Sequence, residues 1–341
     1  MNEGLKDAWK KSFLVGAEVN RDVLPLKEAD EVLKKHFSSI TAGNAMKFVR
    51  IQPEENKWDW QEADLIADYA RKNKLALRGH TIVWHNQVPD WLFLDGNETV
   101  SKNKLFKRLE DHIAKITERY NDIVYSWDVV NEAVDVDKGD DNNFRLSKWY
   151  KICGKEVFEF AFKLMRQACP KAKLFYNDYN NESGAKLEAS LRYLSSLLDA
   201  GIPIDGVGIQ GHWYFNFPDK RTLRNALKKY SALGLEIELT EVDISLYKWD
   251  EAREKSGFFT ARPEKRVLEQ AKRYMEIFKI ASDFPTVKNI TTWGIADSYT
   301  WLDDFPVAGR KNWPLLFDEQ FKEKPVVDKL IEAGLKKRKK S

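Results

Sequence analysis

Cysteine is scarce in this chain. Only Cys153 and Cys169 occur among 341 residues. On the single helix that the pattern predicts across 149–168, their sixteen-residue separation is ~24 Å. Bridged Cα atoms lie within roughly 7 Å, so this pair is expected to stay reduced. No apolar run approaches the ~18 residues of a membrane span, and the start "MNEGLKDAWKK" has no apolar signal-peptide core. These absences together predict a cytoplasmic protein. Strong charge of one sign is missing too. Without the basic residues at 336–340, 51 Lys and Arg face 53 Asp and Glu, a net −2. That balance gives no reason to expect a nucleic acid partner. Residues 336–341 are expected to be a basic tail, a solvated, frayed extension of the last helix, on a single catalytic unit spanning 1–335.

Motif absences narrow the chemistry. No Gly-x-Gly-x-x-Gly follows the first strand candidate, which removes the usual dinucleotide cradle. No Gly-x-Ser-x-Gly turn offers a serine nucleophile. His-Glu-x-x-His and Cys-x-x-Cys are also missing, and His80 and His85 would face opposite sides of a strand, so neither a metal nor any cofactor is expected. His36 and His112 fall in helical patterns and read as surface or packing residues.

Aromatic residues are abundant, with 12 Trp, 12 Tyr and 19 Phe. Short β-branched runs alternate with amphipathic segments throughout. Strands are predicted at Leu14–Asn20, Ala45–Gln52, Leu75–Trp84, Ile123–Asn131, Lys173–Asp178, Ile204–His212, Glu236–Ile244 and Asn289–Ala296. Helices are predicted near 27–37, 60–73, 103–120, 149–168, 184–200, 219–233, 263–282 and 325–335. Eight such units with no linker predict a single-domain α/β fold, a (β/α)8 TIM barrel, with a doubly wound sheet as the structural alternative.

In a barrel the reacting groups come from the C-terminal ends of strands. Here those ends carry Glu18 and Asn20, His80 and Trp84, Asn131 and Glu132, Asn177 to Asn180, Gln210 and His212, and Glu241 and Asp243. Period-two alternation puts Leu239, Glu241 and Asp243 on one face, and Asp128 with Glu132 on another. Asp128 is expected deeper in the barrel, paired with Arg78 beneath His80. Two glutamates on separate strands, Glu132 and Glu241, are equipment for glycosidic bond cleavage. One carboxyl serves as acid while the other, ionised, serves as nucleophile or base. Trp84, Tyr179, Trp293 and Trp301 could stack on sugar rings. A non-catalytic carbohydrate-binding barrel remains a rival on these residues.

Seven motifs then resemble family 10 glycoside hydrolases, the retaining endo-β-1,4-xylanases: "ITAGNAMKF", "RGHTIVWHNQVPDWL", "WDVVNEA", "YNDYN", "GIQGHW", "ELTEVDIS" and "TWGIADSYTWL". The resemblance runs from "GAEVN" to "PLLFD" and implies an intracellular-type xylanase; the missing signal-peptide core adds the expectation that its substrate is xylan-derived xylo-oligosaccharide. It implies Glu132 as acid/base, Glu241 as nucleophile, and Asn131 as a contact to the sugar 2-hydroxyl. His212 is implied to hold the nucleophile and Asp243 to orient His212. His80, Trp84, Gln87, Gln210, Trp293 and Trp301 are implied to line the sugar site at the cleaved bond. Asn44 and Lys47 are implied one sugar further out, with Tyr179 on the leaving-group side. A hydrolase of the same mechanism acting on β-glucosides is separated from a xylanase only by resemblance. Gly43 departs from the pattern, which has glutamate there, and this predicts weaker binding of the outer sugar.

Overall fold

The computed structural model describes residues 3–339. Eight parallel strands form a closed barrel: β1 (Leu14–Val19), β2 (Ser39–Ala42), β3 (Ala76–Val83), β4 (Val124–Asn131), β5 (Lys173–Asp178), β6 (Gly206–Ile209), β7 (Glu236–Ser245) and β8 (Val287–Thr292). Each pairs with the next, and β8 pairs back with β1 through Leu14↔Asn289 to Ala17↔Thr292. The outer ring contains α1 (Lys27–His36), α2 (Gln61–Asn73), α3 (Lys102–Tyr120), α4 (Glu156–Ala168), α5 (Gly184–Asp199), α6 (Lys220–Ala232), α7 (Glu264–Ala281) and α8 (Pro325–Arg338). Their apolar stripes bury residues such as Leu33, Ile66, Ile116, Phe162, Leu227 and Phe278 against the strands. No described helix is long and apolar enough to cross a membrane.

Two expectations are corrected. The second strand is Ser39–Ala42, and the segment predicted as strand at Ala45–Gln52 contains instead a helical turn, Phe48–Ile51, with Lys47 at its N-cap. A β-branched composition misleads over so short a stretch, because capping and packing decide it. The helix predicted at 149–168 is two helices, Lys148–Cys153 and α4, broken at Gly154 with φ 63°. The two cysteines are buried and unpaired all the same. The last helix, α8, runs to Arg338, and Lys337 donates to the Ser282 carbonyl at 2.6 Å; Lys340 and Ser341 lie outside the described residues.

The barrel interior beneath the mouth is polar. Arg78 on β3 bonds both Asp128 on β4 and Glu238 on β7, and all three are fully buried. Tyr125 donates to Glu238 at 3.1 Å and accepts from Asn289 at 2.7 Å. The Arg78–Asp128 pair matches the sequence expectation, whereas Glu238 was not foreseen. One cation is shared between two dry carboxylates, and burial pushes Glu238 above the usual carboxylate range despite Arg78. Arg78→Leu is expected to destabilise the fold by about 3–5 kcal/mol, because it leaves buried charge unpaired. Denaturant unfolding would read this as a lowered midpoint, and an unchanged midpoint would contradict it.

Candidate active site

The strand ends at the C-terminal mouth converge on two glutamates. Glu132 follows the last residue of β4 and has a left-handed backbone, φ 57°. That conformation is unfavourable for a residue with a Cβ, and two contacts hold it. The Glu132 amide donates to the Asn177 carbonyl at 2.8 Å, and Arg145 donates to the Glu132 carbonyl at 2.8 Å. The strand thus ends by turning one carboxylate across the mouth. Its Oε1 accepts from Gln210 at 3.1 Å and from Asn131 at 3.2 Å. His85 lies 3.6 Å from Oε2. Burial pushes His85 down to about 4, so it is neutral around pH 7.

Glu241 is 4% exposed on β7. The pairing of β7 with β8 shifts register between Leu239 and Val242, which breaks simple alternation. As a result the adjacent residues Thr240 and Glu241 both bond Asn177. Leu239, expected on the same face as Glu241, is buried in the apolar core. Glu241 Oε1 accepts from Asn177 Nδ2 at 2.8 Å, and the same nitrogen donates to Asn131 Oδ1 at 2.8 Å. Asn131 and Asn177 therefore bridge the two glutamates with a continuous hydrogen-bond chain.

On its other side Glu241 Oε2 lies 3.2 Å from His212 Nε2, while His212 Nδ1 lies 3.0 Å from Asp243. Trp301 Nε1 donates to the same Asp243 oxygen at 2.8 Å. His212 starts a short strand, His212–Tyr214, that pairs with the end of β7 at Asp243. Burial opposes charge on His212, but the Asp243 carboxylate and then Glu241 raise it to about 10. Burial likewise opposes charge on Glu241. The His212 bond, the His80 and His212 charges and the Asn177 bond outweigh it and lower Glu241 to about 2. At neutral pH this pair is an imidazolium beside a carboxylate, so Glu241 is held ionised and aimed.

The other expected residues surround this centre. His80 Nδ1 lies 2.8 Å from Asp128, and its ring meets Trp84 and Trp293 at centroid distances of 6.1 and 5.4 Å. Trp293 and Trp301 both meet His212 edge-on. Lys47 Nζ sits 4.9 Å above Trp84 and donates to Asn44 Oδ1 at 2.9 Å. Lys47 is 5% exposed, so it is neither on a strand face nor a solvated edge charge. Gln87 lies on the loop after β3, where its carbonyl accepts from Val49. Tyr179 stands further along the cleft, its hydroxyl bonded by Arg145 at 2.9 Å and its ring 3.3 Å from Lys186 Nζ. It lines a depression of about 210 Å³ with Asp135, Phe217 and Trp249.

Sequence reasoning gave no role to Asn177 and did not single out Arg145. Asn177 stood in the right place, at the end of a strand, but its bridging role needs the neighbouring strands. No group of three or more His, Cys, Asp and Glu among the described residues could hold a metal ion. The arrangement holds one carboxylate ionised, joins it to a second through two asparagines, and sets tryptophans against the neighbouring His80 and His212. It suits displacement at a sugar carbon.

Known proteins resemble this chain in sequence and fold. The profile of the family described as Glycosyl hydrolase family 10 matches residues 4–333. Endo-1,4-beta-xylanase A of Caldicellulosiruptor saccharolyticus is 46% identical over 336 residues, covering 97% of this chain and 96% of that protein. The beta-1,4-xylanase of Dictyoglomus thermophilum is 42% identical, covering 94% and 88%. Among solved structures, an endo-1,4-beta-xylanase from Caldicellulosiruptor owensensis superposes with TM-score 0.92 at 40% identity, covering 96% of this chain and 99% of that one. A mutant solved in complex with xylotriose superposes with TM-score 0.91 at 42% identity, covering 96% and 99%.

Proposed function

The chain belongs to glycosyl hydrolase family 10, and from that premise we propose that it is a retaining endo-β-1,4-xylanase working on xylan-derived xylo-oligosaccharides. The observation that carries this reading is the pair of glutamates joined through Asn131 and Asn177, with Glu241 held ionised by His212. A xylan chain lies across the mouth against Trp84, Trp293 and Trp301. Glu241 attacks the anomeric carbon as Glu132 gives a proton to the departing oxygen. Glu132 then takes a proton from water, which attacks the same carbon and displaces Glu241. Two inversions return the original configuration, a course that needs the carboxyl groups ~5–5.5 Å apart.

The supporting residues follow from this chemistry. Asn131 donates toward the 2-hydroxyl, where a hydrogen bond that strengthens in the transition state lowers the barrier. Asn44 and Lys47 take the next sugar on the non-reducing side, and Tyr179 supports the leaving group. The relatives' printed names and the xylotriose complex of one structural neighbour support the choice of xylose-based substrate. Two buried, unpaired thiols support a reducing, cytoplasmic setting. The test is the anomer released first from a xylo-oligosaccharide, read by proton NMR within the first turnovers. The β anomer is expected, and initial release of the α anomer would overturn the retaining course.

A further inference from the structure

Gly43 removes a carboxylate where the family resemblance leads one to expect it, yet the space is filled. A Cβ built on Gly43 would lie 1.8 Å from Glu18 Oε1, 2.6 Å from its Cδ and 2.8 Å from its Cγ. β1 and β2 are parallel neighbours with Val19 opposite Ala42, so the end of β1 delivers the Glu18 side chain over the residue that follows β2. We propose that Glu18 is a substrate-binding residue, its carboxyl taking from β1 the place of a glutamate at position 43 and contacting the outer sugar on the non-reducing side. This rests on the reading of Asn44 and Lys47 as contacts to that sugar.

Connectivity supports it. Glu18 Oε1 accepts from Asn20, Asn20 Oδ1 accepts from Asn44 at 3.1 Å, and Asn44 Oδ1 accepts from Lys47 at 2.9 Å. Glu18 is therefore tied to both residues assigned to the outer sugar. Its bonding capacity is also incomplete. Two other buried carboxylates near the mouth, Asp178 and Asp297, have cation partners, Lys186 and Lys324, each at 2.7 Å, whereas Glu182 is buried without an ion pair among the described residues. Glu18, 8% exposed, accepts only from Asn20 among the described residues, and its Oε2 has no protein partner. Glu18 Oε2 is not one of the enclosed, unpartnered atoms, so it stays open toward the cleft, where a sugar hydroxyl can bond it and offset the cost of burying the carboxyl. Burial pushes Glu18 up to about 8, with Lys47 opposing and Asp22 and Glu241 adding to the rise. Near neutral pH the protonated carboxyl can donate to a sugar oxygen as well as accept.

The test compares an aryl β-xyloside, whose one sugar fills only the site at the cleaved bond, with an aryl β-xylobioside, which also fills the outer site. Glu18→Ala is expected to lower kcat/KM on the xylobioside by about tenfold and to leave the xyloside within about twofold. Glu18→Met, which keeps the volume without the oxygens, should behave alike and serves if the alanine variant is unstable. Gly43→Glu alone should also impair the xylobioside, because two carboxyls would compete for one space. The exchange Glu18→Ala with Gly43→Glu should return the xylobioside to within about threefold of the parent. Equal losses on both substrates, no loss on the xylobioside, or no recovery on exchange would overturn the proposal. A parent protein inactive on both substrates would instead overturn the xylanase reading itself.

Discussion

Glu241→Ala is expected to lower turnover of an aryl β-xyloside on the order of 10⁴-fold or more, because no neighbouring group can take over the covalent step. Glu132→Ala should lose as much on xylo-oligosaccharides but much less on a substrate with a highly activated phenolate, which leaves without a proton. That asymmetry distinguishes the two roles. Adding azide sharpens it. In Glu241→Ala the anion can enter the vacated space and attack once, giving an α-glycosyl azide. In Glu132→Ala it attacks the glycosyl-enzyme and gives the β product. The opposite stereochemistry would exchange the roles assigned to the two residues. If both variants kept the parent's rate, the barrel would have to be a binding protein or to react elsewhere. Binding of xylotriose should survive both substitutions, since Asn44, Lys47 and the tryptophans are untouched.

His212→Gln is expected to lower kcat/KM by roughly tenfold to a hundredfold, the range for losing a charge-assisted hydrogen bond to the nucleophile. A pH signature should accompany it. His212 is raised from 6.5 to about 10 in the fold, burial being outweighed by Asp243 and Glu241. A raised folded-state value means that its stabilisation is complete below pH 6.5 and is lost as pH rises through about 10. Glu241 is lowered from 4.5 to about 2, so its contribution is present above pH 4.5 and is lost as pH falls toward 2. The parent's Tm should therefore decline between pH 6.5 and 10, while that of His212→Gln stays flatter over the same interval. Parallel declines would show that the imidazolium is not what holds this pair. Asp243→Asn should flatten the curve similarly, because the amide cannot supply the charge that raises His212.

Much of the architecture was legible before any coordinates. Period-two and period-3.6 patterns located seven of the eight strands to within a few residues, since each is flanked by a helix with a distinct apolar stripe. β2 was the exception. Ser39–Ala42 is four residues long, too short to show alternation, and the longer, largely apolar segment after it contains a helical turn, Phe48–Ile51. Strand-end polarity brought Glu132, Glu241, His212 and Asp243 onto one candidate list, because a parallel barrel gathers those ends at one mouth whatever the loops do.

What the chain alone determined was a set of candidate reacting groups and the scaffold that presents them. Only the folded molecule decided how they are held. The register shift in β7 that aims Glu241, and the left-handed turn at Glu132, arise from pairing between strands distant in sequence. The Asn131–Asn177 bridge joins side chains 46 residues apart. Gly43 shows the difference most clearly. Read along the chain, it is a missing carboxylate; in the barrel, the glutamate from β1 occupies its space, because neighbouring strands bring residues 18 and 43 into contact. A sequence records which side chains are present, but the space each one fills is set by its neighbours across the sheet.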